Sequence, residues 1–201
     1  MILPNQLTVL RIILTPIFFI LFLQDSNLAK QISVVVFVIA AITDWYDGWL
    51  ARKFNYITSW GKFMDPLADK ILTSAAFLGF VFIGVLPLWM VLVIIIRDFL
   101  ITGLRSFAEY KKKSFYTSRS AKIKTFVQMA YIYYLLMIFA LKTIDVLYVG
   151  NEKLFELLLD KDMVYYSMFG ITIFTVFTGI TYIFKNRFLI KGLYAANSKQ
   201  N

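Results

Sequence analysis

Six stretches of this sequence stay apolar for about the length needed to cross a bilayer: Leu3–Leu23, Gln31–Arg52, Pro66–Ile83, Leu86–Glu109, Ala121–Lys142 and Met163–Phe184. A helix rises about 1.5 Å per residue, so roughly 20 mostly apolar residues cover the hydrocarbon layer. The runs are continuously apolar rather than alternating, which favours helices over a barrel. The chain is therefore expected to be all-α, an integral membrane bundle of six transmembrane helices. No internal repeat or low-complexity segment divides it, so residues 1–201 are read as one domain. Composition agrees: the chain is 60% hydrophobic and 16% charged, too little charge to cover a soluble domain of this length. Met1–Asn5 lacks a basic n-region and no small-residue cleavage site follows the first run, so that run reads as a retained span rather than a signal peptide.

Six spans place both termini on one side. That side also receives the Arg52–Lys62 and Lys111–Arg119 connections and the tail with Lys185, Arg187, Lys191 and Lys199. The opposite side holds Lys30, Lys142, Lys153 and Lys161 against Asp25, Asp145, Glu152, Glu156, Asp160 and Asp162. The basic side is expected to be cytoplasmic, making this a multi-pass protein of the cell membrane with both termini inside. The formal charge of +9 is then a positive-inside signature, and nucleic acid is not expected as a partner. Lys111–Lys113 and Arg119 belong to that signature and suit anionic lipid. Asn151–Asp162 is expected to form a short amphipathic helix on the outer surface.

The chain has no His and no Cys. Histidine acid–base chemistry, Ser-His-Asp triads, thiol nucleophiles and His/Cys zinc sites are excluded. A metal would be hard and oxygen-bound, Mg2+ or Mn2+. Carboxylates placed to hold one are present. Asp44 and Asp47 lie three apart at the end of the second run, and Asp65 and Asp69 lie four apart where the third begins. Each pair shares a helix face. Asp65 reads as an N-cap with Pro66 at the first helical position, so two helix ends are expected to meet at the cytoplasmic edge. Four acids there repel one another and cost energy to insert. Two divalent cations would balance their charge, whereas four acids snorkelling independently would leave the paired spacings unexplained.

The pattern Asp44-x2-Asp47-Gly48-x2-Ala51-Arg52-x8-Gly61-x3-Asp65-x3-Asp69 fixes eight residues over 26 positions. It resembles the signature of the CDP-alcohol phosphotransferase family at every defined position. The resemblance implies a six-helix homodimer with the CDP-alcohol phosphotransferase fold, its four aspartates holding two metal ions at the diphosphate of a CDP-linked lipid. Asp44, Asp47 and Asp65 would be metal ligands, with Asp44 and Asp65 also beside the nucleotide. Asp69 would both sit at the metal and act as general base on the incoming hydroxyl. The residue types suit these roles. Gly48 lets a nucleotide approach the backbone, Ala51 is small, and Arg52 offers a fork to phosphate or cytosine oxygens. Gly61 is expected to break the loop before the third span, as a turn glycine or as part of the site. Asn5 and Thr8, in Pro4-Asn5-Gln6-Leu7-Thr8-Val9-Leu10-Arg11, resemble the family's nucleotide-facing opening segment; helix capping is the other reading. Direct in-line displacement is favoured over a carboxylate nucleophile.

Acceptor choice must come from elsewhere. Asp98, Thr102 and Arg105 share one face of the fourth run, with Arg97 about 100° round from Asp98. Lys122 and Lys124 open the fifth. Basic residues inside apolar runs suit a phosphate pocket. Arg97-Asp98-Phe99 with Thr102-Gly103-Leu104-Arg105, and Lys122-Ile123-Lys124-Thr125, resemble the phosphatidylglycerophosphate synthase branch of the family. That resemblance implies CDP-diacylglycerol and sn-glycerol 3-phosphate as substrates, with Arg97, Thr102, Arg105 and Lys122 or Lys124 at the acceptor phosphate. Asp98 stands where that branch usually has Glu, and Ala121 where it usually has Gly. Lys122 and Lys124 lie about 200° apart on a helix and cannot both face one pocket; Lys122 is favoured. Other acceptors, such as inositol phosphate, serine or phosphatidylglycerol, are the nearest rivals, although serine has no phosphate to hold. A divalent-cation transporter is the rival from another class, but its site would sit near the midplane between repeated halves.

Overall fold

A computed structural model describes residues 3–54, 59–111 and 119–197. These form α1 (Leu3–Phe22), α2 (Asn27–Phe54), α3 (Ser59–Phe82), α4 (Leu88–Tyr110), α5 (Arg119–Lys142), α6 (Asp145–Tyr148), α7 (Glu152–Leu158) and α8 (Lys161–Asn197), with no strand among the described residues. Each apolar run coincides with one of the long helices, and α7 falls inside the segment read as a short amphipathic helix. The last helix continues well past Phe184. Residues 55–58 and 112–118, including Lys112 and Lys113, lie outside the described residues.

The start of α3 differs from the sequence reading. The helix begins at Ser59, so Gly61 is helical and does not break a loop, and Asp65 is not an N-cap. Pro66 stands inside the helix. A proline costs a helix one backbone hydrogen bond, but neighbouring helices and polar side chains make this tolerable in apolar bundles. Running the helix through Pro66 keeps Asp65 and Asp69 in one helical register.

Packing follows the apolar stripes. On α1 the buried face is Thr8, Arg11, Thr15, Phe18 and Phe22, spaced alternately three and four apart as a helix face requires. It packs against α2 and α3; α3 packs on α4, and α8 covers α4 and α5. Phe18, Phe22, Phe37, Phe77, Phe80, Met90, Ile94, Leu135 and Met168 make the common core. The outer faces are also apolar: Ile20, Val35, Ile96, Leu100, Phe126, Phe177 and Phe184 are all exposed. Among the described residues, two stretches are long and apolar enough to cross a membrane, Arg119–Lys142 and Glu152–Ile190, with shorter apolar helices at Gln6–Phe22 and Asn27–Thr43. The helices α3 and α4 have 24 and 23 residues, but charged side chains interrupt them.

Helices α1 and α3 approach closely at Gly79. A Cβ there would stand 2.8 Å from Cδ1 of Phe22, whose ring is held against Phe18, Phe80 and Phe139. Gly79→Ala is expected to destabilise the bundle by about 1–3 kcal/mol through overpacking, read as a lowered unfolding midpoint in detergent micelles; an unchanged midpoint would show that the ring can move aside.

Candidate active site

The polar residues of α3, α4, α5 and α8 converge on a cavity of about 610 Å³. It is lined by Asp69 and Lys70 of α3, Arg97, Asp98, Thr102, Arg105 and Glu109 of α4, Ala121, Lys122 and Thr125 of α5, and Tyr182 of α8. Four basic side chains there face three acidic ones. Cavities of this size hold small-molecule ligands.

The centre of the wall is Asp98, its side chain only 4% exposed. Its Oδ1 accepts from Arg97 Nη1 at 2.9 Å and from Lys124 Nζ. Its Oδ2 faces Lys70 Nζ at 3.4 Å, and the same ammonium lies 3.4 Å from Asp69 Oδ2. Arg97 also donates through Nη2 to Thr178 Oγ1 of α8 at 3.1 Å, and its side chain lies against the backbone of Gly179, where a Cβ would stand 3.1 Å from its Cγ and Nε. A guanidinium fixed by a carboxylate, a hydroxyl and a glycine surface is well preorganised for an anion. Arg105 is looser: it is exposed and pairs with Glu109 at 3.0 Å, one turn along α4.

The two lysines of α5 separate as their spacing requires. Lys122 is exposed and lines the cavity. Lys124 is 1% exposed and spends its charge on Asp98, outside the lining. The sequence reading counted Lys124 as an alternative phosphate contact; its burial behind Asp98 takes it out of the cavity wall. Lys70 was not singled out from sequence. The available signal was a lysine immediately after Asp69, inside an apolar helix where an unpaired ammonium is costly.

One turn before Asp69 on α3, Thr8 Oγ1 donates to Asp65 Oδ1 at 2.5 Å. Thr8 lies inside α1 and is buried, so it does not cap that helix; its hydroxyl fixes Asp65 across the α1–α3 contact. Asp44, Asp47, Gly48, Ala51 and Arg52 are carried by α2, and Gly61 by α3. Their side-chain surroundings, and those of Asn5 on α1, lie outside the described residues. Among the described residues no group of three or more His, Cys, Asp or Glu side chains is assembled to hold a metal. Asp65 and Asp69 are the two of the four aspartates whose side chains are described. They fit a hard cation as donors: both offer only carboxylate oxygens, one turn apart on one helix, and Thr8 engages just one oxygen of Asp65.

Comparison with known proteins bears on this arrangement. The model of the CDP-alcohol phosphatidyltransferase family matches residues 1–158. The chain is 42% identical over 127 residues to a Rickettsia typhi protein named CDP-diacylglycerol–glycerol-3-phosphate 3-phosphatidyltransferase, covering 63% of this chain and 71% of that one. A Bacillus subtilis protein of the same name is 42% identical over 139 residues, covering 63% and 72%. One from Salmonella paratyphi A is 40% identical over 138 residues, covering 66% and 75%. With four-fifths of its length inside the family model and a cavity walled by the helices that follow Asp69, the chain belongs to the CDP-alcohol phosphatidyltransferase family.

Proposed function

We propose that the protein transfers the phosphatidyl group of CDP-diacylglycerol to sn-glycerol 3-phosphate, releasing CMP and forming phosphatidylglycerophosphate. The single observation that carries the acceptor assignment is the cavity in which Asp69 shares a wall with Arg97, Arg105 and Lys122. A base for a hydroxyl and cations for a phosphate stand within one small space, which suits a phosphorylated alcohol and not serine. The names of the relatives support the same chemistry.

In this reading Arg97 grips the acceptor phosphate, while Thr102, Arg105 and Lys122 complete its surroundings. Asp69 takes the proton of the acceptor's primary hydroxyl as that oxygen attacks the phosphorus bearing the diacylglycerol. The bond from that phosphorus to the CMP oxygen breaks, and CMP leaves with the electron pair. Asp44, Asp47, Asp65 and Asp69 would hold two divalent ions, Mg2+ or Mn2+, which when bound polarise the diphosphate and neutralise charge on departing CMP. Thr8 orients Asp65, and Asn5, Gly48, Ala51, Arg52 and Gly61 are assigned to the nucleotide side. The absence of His and Cys favours direct displacement over a phospho-enzyme.

We also infer six spans, a multi-pass location in the cell membrane with the site and both termini cytoplasmic, and a homodimeric assembly. The many exposed large apolar side chains of the outer faces support a lipid surround.

The direct test supplies purified protein with CDP-diacylglycerol, Mg2+ or Mn2+ and separate candidate alcohols, and measures CMP release. Glycerol 3-phosphate should be the effective acceptor; release no greater than with water would refute the assignment. Asp69→Asn should abolish turnover, and near-normal activity would remove it as base. For Arg105→Ala, KM for glycerol 3-phosphate should rise about tenfold or more with kcat less affected; an unchanged KM would take Arg105 out of the pocket. The chain has no native cysteine, so single cysteines report topology directly. Lys153→Cys should react with an impermeant maleimide in intact cells and Lys111→Cys only after permeabilisation; the reverse pattern would invert the orientation.

A further inference from the structure

Lys70 is the one described side chain that pairs with both Asp69 and Asp98. Its ammonium lies 3.4 Å from Asp69 Oδ2 and 3.4 Å from Asp98 Oδ2, too long for good hydrogen bonds but short enough for ion pairs. Asp98 is a fixed anchor. Its Oδ1 is taken by Arg97 and by the buried Lys124, which arrive from its own helix and from α5. Its buried Oδ2 makes no hydrogen bond and is left facing Lys70. The Lys70 side chain is itself 13% exposed, whereas that of Asp69 is 30% exposed. The chain of contacts therefore runs from a carboxylate held by cations of α4 and α5, through a mostly buried ammonium, to a carboxylate at the cavity wall.

We propose that Lys70 is a positioning residue for the transfer reaction, holding the Asp69 carboxylate in place relative to the acceptor pocket by bridging it to Asp98. This rests on the functional assignment of Asp69 as base. An ammonium on a long stem is a poor substitute for a rigid fork unless both its partners are fixed, and here one of them is. Misplacing a reacting group by about 1 Å costs up to about 100-fold in rate even when binding is intact. The bridge also separates two duties. Lys122 and Arg97, the latter held by Asp98 and Thr178, line the cavity for the phosphate, while Lys70 links the two carboxylates.

The test is steady-state CMP release by the full-length protein in CDP-diacylglycerol mixed micelles, comparing wild type with Lys70→Met and Lys70→Arg. For Lys70→Met, which keeps the stem and removes the charge, kcat should fall about 10- to 100-fold while KM for glycerol 3-phosphate changes less than about threefold. Lys70→Arg, which can still reach both carboxylates, should recover most of the lost kcat. If Lys70→Met fails to fold, Lys70→Gln carries the same expectation. A rise in KM for glycerol 3-phosphate with kcat preserved would make Lys70 a substrate ligand and overturn the proposal. Equal loss of kcat in the Met and Arg variants, tracking a lowered melting temperature, would overturn it as mere packing. An active wild type with an unaffected Lys70→Met would refute the role of Lys70 alone, whereas a wild type that ignores glycerol 3-phosphate would take down the functional assignment and this proposal with it.

Discussion

Asp98 is a carboxylate on an apolar helix, and cations from three helices answer its charge: Arg97 beside it on α4, Lys124 from α5 and Lys70 from α3. Removing such a group from water costs several kcal/mol unless its charge is met and its lone pairs are satisfied. Meeting that cost forces α3, α4 and α5 to converge at one level of the bundle. Arg97 then reaches α8 through Thr178, so a fourth helix is tied to the same point. The apolar core beneath holds the helices together without choosing their register. The polar node above it chooses, because each cation must arrive at the height of one carboxylate.

The same node sets the charge of the cavity. With Lys124 behind the wall, five cations (Lys70, Arg97, Arg105, Lys122 and Lys124) stand against three acids (Asp69, Asp98 and Glu109), leaving a surplus of positive charge at the pocket. A phosphate bound there exchanges its hydration for fixed donors already held apart by protein contacts, and little reorganisation is needed. The division between the α5 lysines follows from helix geometry. Two positions apart and so about 200° round the helix, they face opposite ways: Lys122 lines the cavity and Lys124 meets the buried carboxylate of Asp98.

Much of this architecture was legible in the sequence because apolar length and helical spacing are local properties. The six runs coincide with six helices, and the shared face of Asp98, Thr102 and Arg105 lines the cavity as its spacing requires. The start of α3 was misread for a local reason as well. Asp65-Pro66 carries the chemistry of a helix N-terminus, yet the helix continues seven residues upstream to Ser59, and Asp65 finds its partner in Thr8 on another helix. Nothing local distinguishes a capping aspartate from one held by a hydroxyl 57 positions away. Lys124 and Lys70 were obscured in the same way. A lysine near the end of an apolar run reads as a snorkelling charge until the acid it meets, 26 positions off in the case of Lys124, is brought beside it.

Helix α3 carries both described aspartates of the four, one turn apart on one face. Asp65 looks toward α1 and is fixed by Thr8. Asp69, one turn on, lines the cavity formed with α4, α5 and α8. In the proposed reaction the donor nucleotide belongs to the α1–α2 side and the acceptor to the cavity, so the reacting phosphorus would lie beside two carboxylates of a single helix. A rigid helix fixes that separation better than a loop could. The helix also continues through Pro66 rather than starting there. A helix beginning at Pro66 would leave Asp65 at a fraying end, whereas six residues of helix before Asp65 hold both carboxylates to one axis.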